Sequence, residues 1–222
     1  MSGPQLVVFD LIGTTVAADD AVPRAFAAAV AAEGLTLTAA QIHEVRGATK
    51  RLALARLLPA GPAHALRVDR AYERFQARLR AAYTPDTVRP VDGAVEVLAA
   101  LRAAGVRVAL NTGFDRALTT HLLDALGWTR LADVVVCGDD VAAGRPAPDL
   151  ICRAMAATGM TDPRTVANVG DTALDLRAGA NAGVGWNIGV WSGAHDRATL
   201  GAAPHTHLCA SVADVPAIFS AG

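Results

Sequence analysis

Short apolar runs alternate along this chain with longer stretches whose apolar positions recur at helical spacing. The runs over 5–10, 106–110, 133–137, 166–169 and 186–190 each stop at a polar or glycine-bearing turn. Bounded runs of this kind predict buried strands, with a last short one over 207–210. After the first strand the chain changes character. From 21 to about 89 it is rich in Ala, Leu and Arg and almost free of β-branched runs. The spacing predicts helices over 23–32, stopped by Gly34, and over 39–46, interrupted at Gly47. A third spans 49–58, with Leu52, Ala53, Leu57 and Leu58 as its apolar repeat, and a fourth 63–82, with arginines on its polar face. From Val91 onward helices over 93–104, 116–126, 149–158, 174–182 and 212–219 alternate with the strands. That alternation predicts an α/β fold with a Rossmann-like parallel sheet. The core is expected over 1–18 and 90–222, and an inserted α-helical cap domain over 19–89.

Composition narrows the classes. At 222 residues and 52 % apolar, the chain can bury a substantial core. No apolar run approaches the roughly 20 residues of a membrane span, and the first residues lack the basic start of a signal peptide. A net charge of −1 with no isolated basic cluster argues against nucleic acid as the partner. Cys137, Cys152 and Cys209 are odd in number and widely spaced, so they predict reduced thiols and a cytoplasmic protein. Of 20 basic side chains, one is lysine, Lys50.

Four stretches carry candidate chemistry. Asp10 ends the first strand, before Gly13-Thr14-Thr15-Val16. Asn111-Thr112-Gly113 follows the second strand. Gly144-Arg145-Pro146-Ala147-Pro148 forms a stiff loop, and Gly170-Asp171-Thr172-Ala173-Leu174-Asp175 follows the 166–169 strand. Chemistry in open α/β sheets gathers at the carboxyl ends of strands. Each residue also has a plain structural alternative. Asp10 can cap a turn, Thr112, Asp171 and Asp175 can cap helices, and Arg145 can be a surface arginine.

The order of the four stretches resembles the haloacid dehalogenase (HAD)-like hydrolase superfamily, over nearly the whole chain. The details GTTV, GRPAP and GDTALDLRAGANAG resemble its phosphonatase-like subgroup, related to phosphonoacetaldehyde hydrolase. The resemblance implies a nucleophilic Asp10 that forms an aspartyl-phosphate. It implies Mg²⁺ on the Asp10 carboxylate, the Ile12 carbonyl and Asp171, with Asp175 as a further ligand through water or as a support. Thr112 and Arg145 are then phosphoryl-group donors, and Gly47, Gly113 and Arg46 line the substrate. A homodimer is implied as well.

Ile12 departs from the phosphatases of the superfamily, which carry an acid there to protonate the leaving alcohol. In the phosphonatase pattern the leaving carbon is activated by an imine on a cap lysine. Gly47-Ala48-Thr49-Lys50 resembles that GxxK motif. Lysine alone among the basic residues can form the imine. Lys50 binding a phosphate, or lying solvated on the insert, is the competing reading. Arg46 and Ala53 stand where the subgroup has Met and His, which opens the substrate beyond phosphonoacetaldehyde and lets Arg46 recognise a second anion. The expected function is Mg²⁺-dependent cleavage of a P–C bond, or of an activated P–O bond, in a small phosphonate or phosphorylated substrate. A phosphatase of the phosphoglycolate type and a silent phospho-ligand-binding relative are the alternatives. Trp128, Trp186 and Trp191 are expected in packing, and His205 and His207 in a surface turn.

Overall fold

The computed structural model describes residues 3–17, 20–45 and 47–220. Six strands form one parallel sheet: β1 Leu6–Asp10, β2 Arg107–Asn111, β3 Val134–Val136, β4 Val166–Gly170, β5 Trp186–Val190 and β6 His207–Cys209. Their spatial order is β3-β2-β1-β4-β5-β6. The chain therefore winds one way from β1 and then the other, and β1 and β4 flank the reversal. In register, Asp10 lies beside Asn111 and Phe9 beside Val169.

Alternation along β1 divides the core. Leu6 and Val8 pack with Ala109, Val136, Ile151 and Ala154 on one face. Val7 and Phe9 pack with Leu110, Leu98, Leu118 and Ile188 on the other. Helices cover both faces: α5 Ala94–Ala103, α6 Arg116–Leu126, α7 Asp149–Thr158, α8 Ala173–Ala182 and α10 Val215–Ser220, with α9 Arg197–Gly201 near β6. Burial on both faces explains why the strands read as continuous apolar runs.

Four helices stand between β1 and α5, where the composition changes: α1 Ala21–Ala31, α2 Ala39–Glu44, α3 Lys50–Leu57 and α4 His64–Ala82. Phe26 of α1 and Phe75 of α4 meet at 4.6 Å between ring centroids. Glu33 accepts hydrogen bonds from Arg67, Arg70 and Arg74, one turn apart on α4. No helix among the described residues is long and apolar enough to cross a membrane.

Some local expectations need correction. Leu52 is 39 % exposed, whereas Leu54 is fully buried. Ala53 and Leu54 of this two-turn helix and Leu58 at its C-cap are buried, Leu57 is partly buried beside them, and Leu52 falls outside the stripe. Helix α9 is too short and polar to show periodicity; Asp196 caps it by accepting from the Thr199 amide at 2.8 Å. The terminal helix begins as a separate 3-10 turn, Val212–Asp214, before α10. The expected packing tryptophans do pack. Trp128 is buried, Trp186 stands edge-on to Phe219 and Trp191 lies under Arg197. The three thiols are free.

Candidate active site

Asp10 is the last residue of the central strand β1. The next carbonyl, Leu11, accepts from the amides of Thr14, Thr15 and Val16 at 3.3, 2.9 and 2.8 Å. Gly13 makes that turn possible, with φ +95°, and a Cβ there would lie 2.1 Å from Asp171 Oδ2. Thr15 Oγ1 donates to the Asp10 carbonyl at 2.9 Å, and Thr14 Oγ1 to Asp171 Oδ1 at 3.2 Å. The GTT sequence thus brings the β1 and β4 ends together.

Arg145 is 3 % exposed, so it is not a surface residue. Its Nη2 lies 2.6 Å from Asp10 Oδ1 and its Nε 2.7 Å from Asp175 Oδ1. It also donates to Asn111 Oδ1 at the end of β2 and, at 3.5 Å, to the Gly47 carbonyl of the insert. The capping role of Asp175 is real but uses the other oxygen. Oδ2 accepts from the Thr172 amide at 3.0 Å and from the Thr172 hydroxyl, a capping box on α8. Asp175 therefore serves helix and cleft at once.

Thr112 is buried beside them and is not the cap of α6; Asp115 is, accepting from the Leu118 amide at 2.8 Å. Thr112 Oγ1 accepts from the Phe114 amide at 3.1 Å and can still donate its own proton. Lys50 begins α3 and comes in from the insert. Its amide donates to the Gly113 carbonyl at 3.3 Å. Its Nζ donates to the Ala48 carbonyl at 3.2 Å and sits 5.3 Å from the Phe114 ring centroid. Backbones meet closely here. A Cβ on Gly113 would lie 2.7 Å from the Ala48 carbonyl oxygen, and one on Gly144 2.3 Å from Thr49 Cγ2. Arg46, expected at the substrate, lies outside the described residues.

These groups line a cavity of about 70 Å³ that brings together Asp10, Ile12, Gly47, Lys50, Thr112, Gly113, Arg145 and Asp171. Asp175 lies behind Arg145. A wider groove of about 780 Å³ lies on the far side of Lys50, against α3, α4 and the loop after β2. It contains neither Asp10 nor Arg145, so the chemistry belongs to the smaller space.

Crowding shows in the proton affinities. Burial pushes the Asp10 carboxyl up to about 6 against the pull of Arg145. Burial, then the charges of Asp10 and Asp175, push Asp171 up to about 8. Burial brings the Lys50 ammonium down to about 8, opposed by the Asp10 charge. Asp10, Asp171 and Asp175 offer oxygens within 4.8 Å of one another. Hard oxygen donors at this spacing suit Mg²⁺, and a divalent charge would offset the crowding. Asp175 Oδ1 is paired with the Arg145 cation and Oδ2 is held in the α8 capping box, whereas Asp171 accepts from neutral donors, the Thr14 hydroxyl and the Ala194 amide, so Asp171 beside Asp10 is the better placed direct ligand.

The sequence assigned no role to Asn111 or Thr14 within their stretches, and did not point to the loop after β5. In that loop the Ala194 amide donates to Asp171 Oδ2 at 2.7 Å, and Ser192 Oγ donates to the Gly13 carbonyl at 3.3 Å. A Cβ on Gly193 would lie 2.1 Å from Asp171 Oδ2. The available signal was position: this loop leaves the carboxyl edge of a strand two places from β1.

A parallel sheet whose reversal gathers an aspartate nucleophile candidate, a threonine, an arginine and an acidic pair defines a hydrolase of the α/β class. The comparisons agree. A model of the haloacid dehalogenase-like hydrolase family matches residues 4–183, and the chain belongs to that family. It is 31 % identical over 201 residues to a phosphonoacetaldehyde hydrolase of Latilactobacillus sakei, covering 83 % of this chain and 74 % of that one. It is 31 % identical over 209 residues to a phosphonoacetaldehyde hydrolase of Hahella chejuensis, covering 85 % and 68 %. The crystal structure of a phosphonoacetaldehyde hydrolase-like protein from Oleispira antarctica superposes with a TM-score of 0.85 at 21 % identity, covering 99 % and 92 %, which shows the shared fold.

Proposed function

We propose that the protein is a Mg²⁺-dependent phosphonatase-like hydrolase that cleaves a P–C bond through an aspartyl-phosphate on Asp10, with the helical insert acting as the cap. The observation that carries this reading is Lys50. The single lysine of the sequence lines the same cavity as Asp10, and burial leaves part of it as free amine near neutral pH. Desolvation is a standard way of making a lysine nucleophilic.

The neutral Lys50 amine adds to the substrate carbonyl, and loss of water with uptake of one proton from solvent gives a protonated imine. The Asp10 carboxylate attacks phosphorus. The P–C bond breaks, and its electron pair moves into the iminium to give an enamine. Protonation at carbon and hydrolysis release the carbonyl product and restore Lys50. A second water cleaves the aspartyl-phosphate. Arg145 and Thr112 meet the charge that develops on the phosphoryl oxygens. Mg²⁺ held by Asp10, Asp171 and the Ile12 carbonyl would add electrostatic stabilisation of the same charge. Ile12 offers no proton, and this route needs none at that position because the leaving atom is carbon. Gly47 and Gly113 supply close backbone walls, and Arg46 is proposed at the substrate end of the cap.

Borohydride trapping tests the reading. The protein is incubated with phosphonoacetaldehyde and Mg²⁺, reduced, and examined by intact and peptide mass. A reduced adduct on Lys50, lost in Lys50→Arg together with phosphate release, is the expected result. No adduct, with simple phosphate esters still hydrolysed by Lys50→Arg, would replace it with an ordinary phosphatase.

A further inference from the structure

The cleft has two unlike ends. At the sheet, Asp10, Thr112, Arg145 and Asp171 converge. On the insert side the lining is Val22, Pro23, Phe26 and Ile42, and Ile12 and Phe114 continue it on the core side. Phe26 and Phe114 are almost wholly buried, and Phe26 is held against Phe75. Ile12, Val22, Pro23 and Ile42 are half-buried, so they present surface to whatever enters. Among the described residues, Lys50 is the one ionisable side chain the insert adds to this lining.

Such a wall discriminates by chemistry. A sugar-like fragment would lose water from its hydroxyls and, among the described residues, meet only the apolar side chains of Val22, Pro23, Phe26 and Ile42 on that wall. An alkyl group would gain by burial. With the phosphoryl group at Asp10 and Lys50 at the carbonyl, the apolar wall meets the substituent beyond the carbonyl.

We infer that the natural substrate is an alkyl-bearing 2-oxoalkylphosphonate, with Ile12, Val22 and Ile42 selecting the alkyl group. The inference rests on the phosphonatase reading for the carbonyl and on the cavity lining for the alkyl group. The two parts can be separated with inert ligands that form no imine.

Dissociation constants of 2-hydroxyethyl-, 2-hydroxypropyl- and 2,3-dihydroxypropylphosphonate would be measured by calorimetry on the full chain with Mg²⁺. Each keeps a hydroxyl at the carbonyl position and differs beyond it. The 2-hydroxypropyl compound should bind about tenfold tighter than the other two. In Ile42→Ser, with an unchanged circular dichroism spectrum, that margin should shrink several-fold. A methyl group that adds no affinity, or a diol that binds as well, overturns the inference whatever the catalytic result. A retained preference for the methyl compound, without any Lys50 adduct, leaves the apolar selection standing and removes the phosphonatase reading.

Discussion

Arg145 Nη2 lies 2.6 Å from Asp10 Oδ1, and both side chains are buried. The same guanidinium reaches Asp175 at 2.7 Å, so one cation answers two carboxylates. Arg145→Ala leaves both without it, at a cost of about 3–5 kcal/mol for a buried pair that loses one partner. The urea midpoint should fall, and kcat should drop about a hundredfold or more. Arg145→Lys restores the charge but not the fork, so it should recover more stability than turnover. A wild-type kcat in Arg145→Lys would remove the arginine from the phosphoryl site.

Lys50 carries a pH signature. Burial lowers its pKa to about 8, and only the neutral amine adds to a carbonyl. The rate of borohydride-trapped adduct should therefore climb about tenfold per pH unit below 8 and level off above it. Mass spectrometry of the peptide containing Lys50 reads the profile. A rate independent of pH between about 6 and 9 would mean that amine ionisation does not limit imine formation.

Asp171 and Asp10, raised by burial to about 8 and about 6, hold protons in the folded protein that the unfolded chain has released. The contribution of these two groups to the stability of the metal-free protein should therefore be fully present below the ordinary carboxylate range and be lost as pH rises through 6 and then 8. A divalent cation requires ionised ligands. Mg²⁺ should raise Tm more at pH 8.5 than at pH 5.5 and should release protons near pH 7, read with an indicator dye. Binding without proton release at pH 7 would contradict the crowding. Glu33 acts in the opposite sense and in another window. Hydrogen bonds from Arg70, Arg74 and Arg67 hold it at about 2, so its contribution is present above about 4.5 and is lost as pH falls through 2.

Asp115 fastens the insert to the core. One carboxylate oxygen caps α6, and the other accepts from the Tyr72 hydroxyl and the Gln76 amide of α4. The preceding residue, Phe114, lies under Lys50 Nζ. Tyr72→Phe keeps the ring and removes one donor, so it should cost about 1 kcal/mol of stability and slow Lys50 trapping several-fold. Trapping at the wild-type rate in a destabilised Tyr72→Phe would confine this contact to holding the fold.

The sheet was legible because its strands are buried on both faces, so each appears as an unbroken apolar run between turns. The sequence order of Asp10, Thr112, Arg145, Asp171 and Asp175 likewise foretold neighbours, since parallel strands leave all their carboxyl ends on one edge. Contacts that depend on three-dimensional proximity were not legible. Nothing in the local pattern ties Thr14 to Asp171, Asn111 to Arg145 or Ala194 to Asp171. Leu52 misled because a two-turn helix offers too few positions to fix its buried stripe. Asp175 was ambiguous for a physical reason: its two oxygens do two different jobs, and a sequence signature for one is also a signature for the other.

The placement of Lys50 at the start of α3, facing the Phe114 ring inside the cleft, has a practical consequence. Every other basic side chain is a guanidinium or an imidazole. Amine-directed labelling of the intact protein therefore reports on the α-amino group and on a single side chain. A ligand that fills the cleft shields that side chain. Its protection from a mild acylating reagent thus becomes a direct gauge of occupancy, one that works for compounds the enzyme never turns over and in mixtures whose active component is unknown.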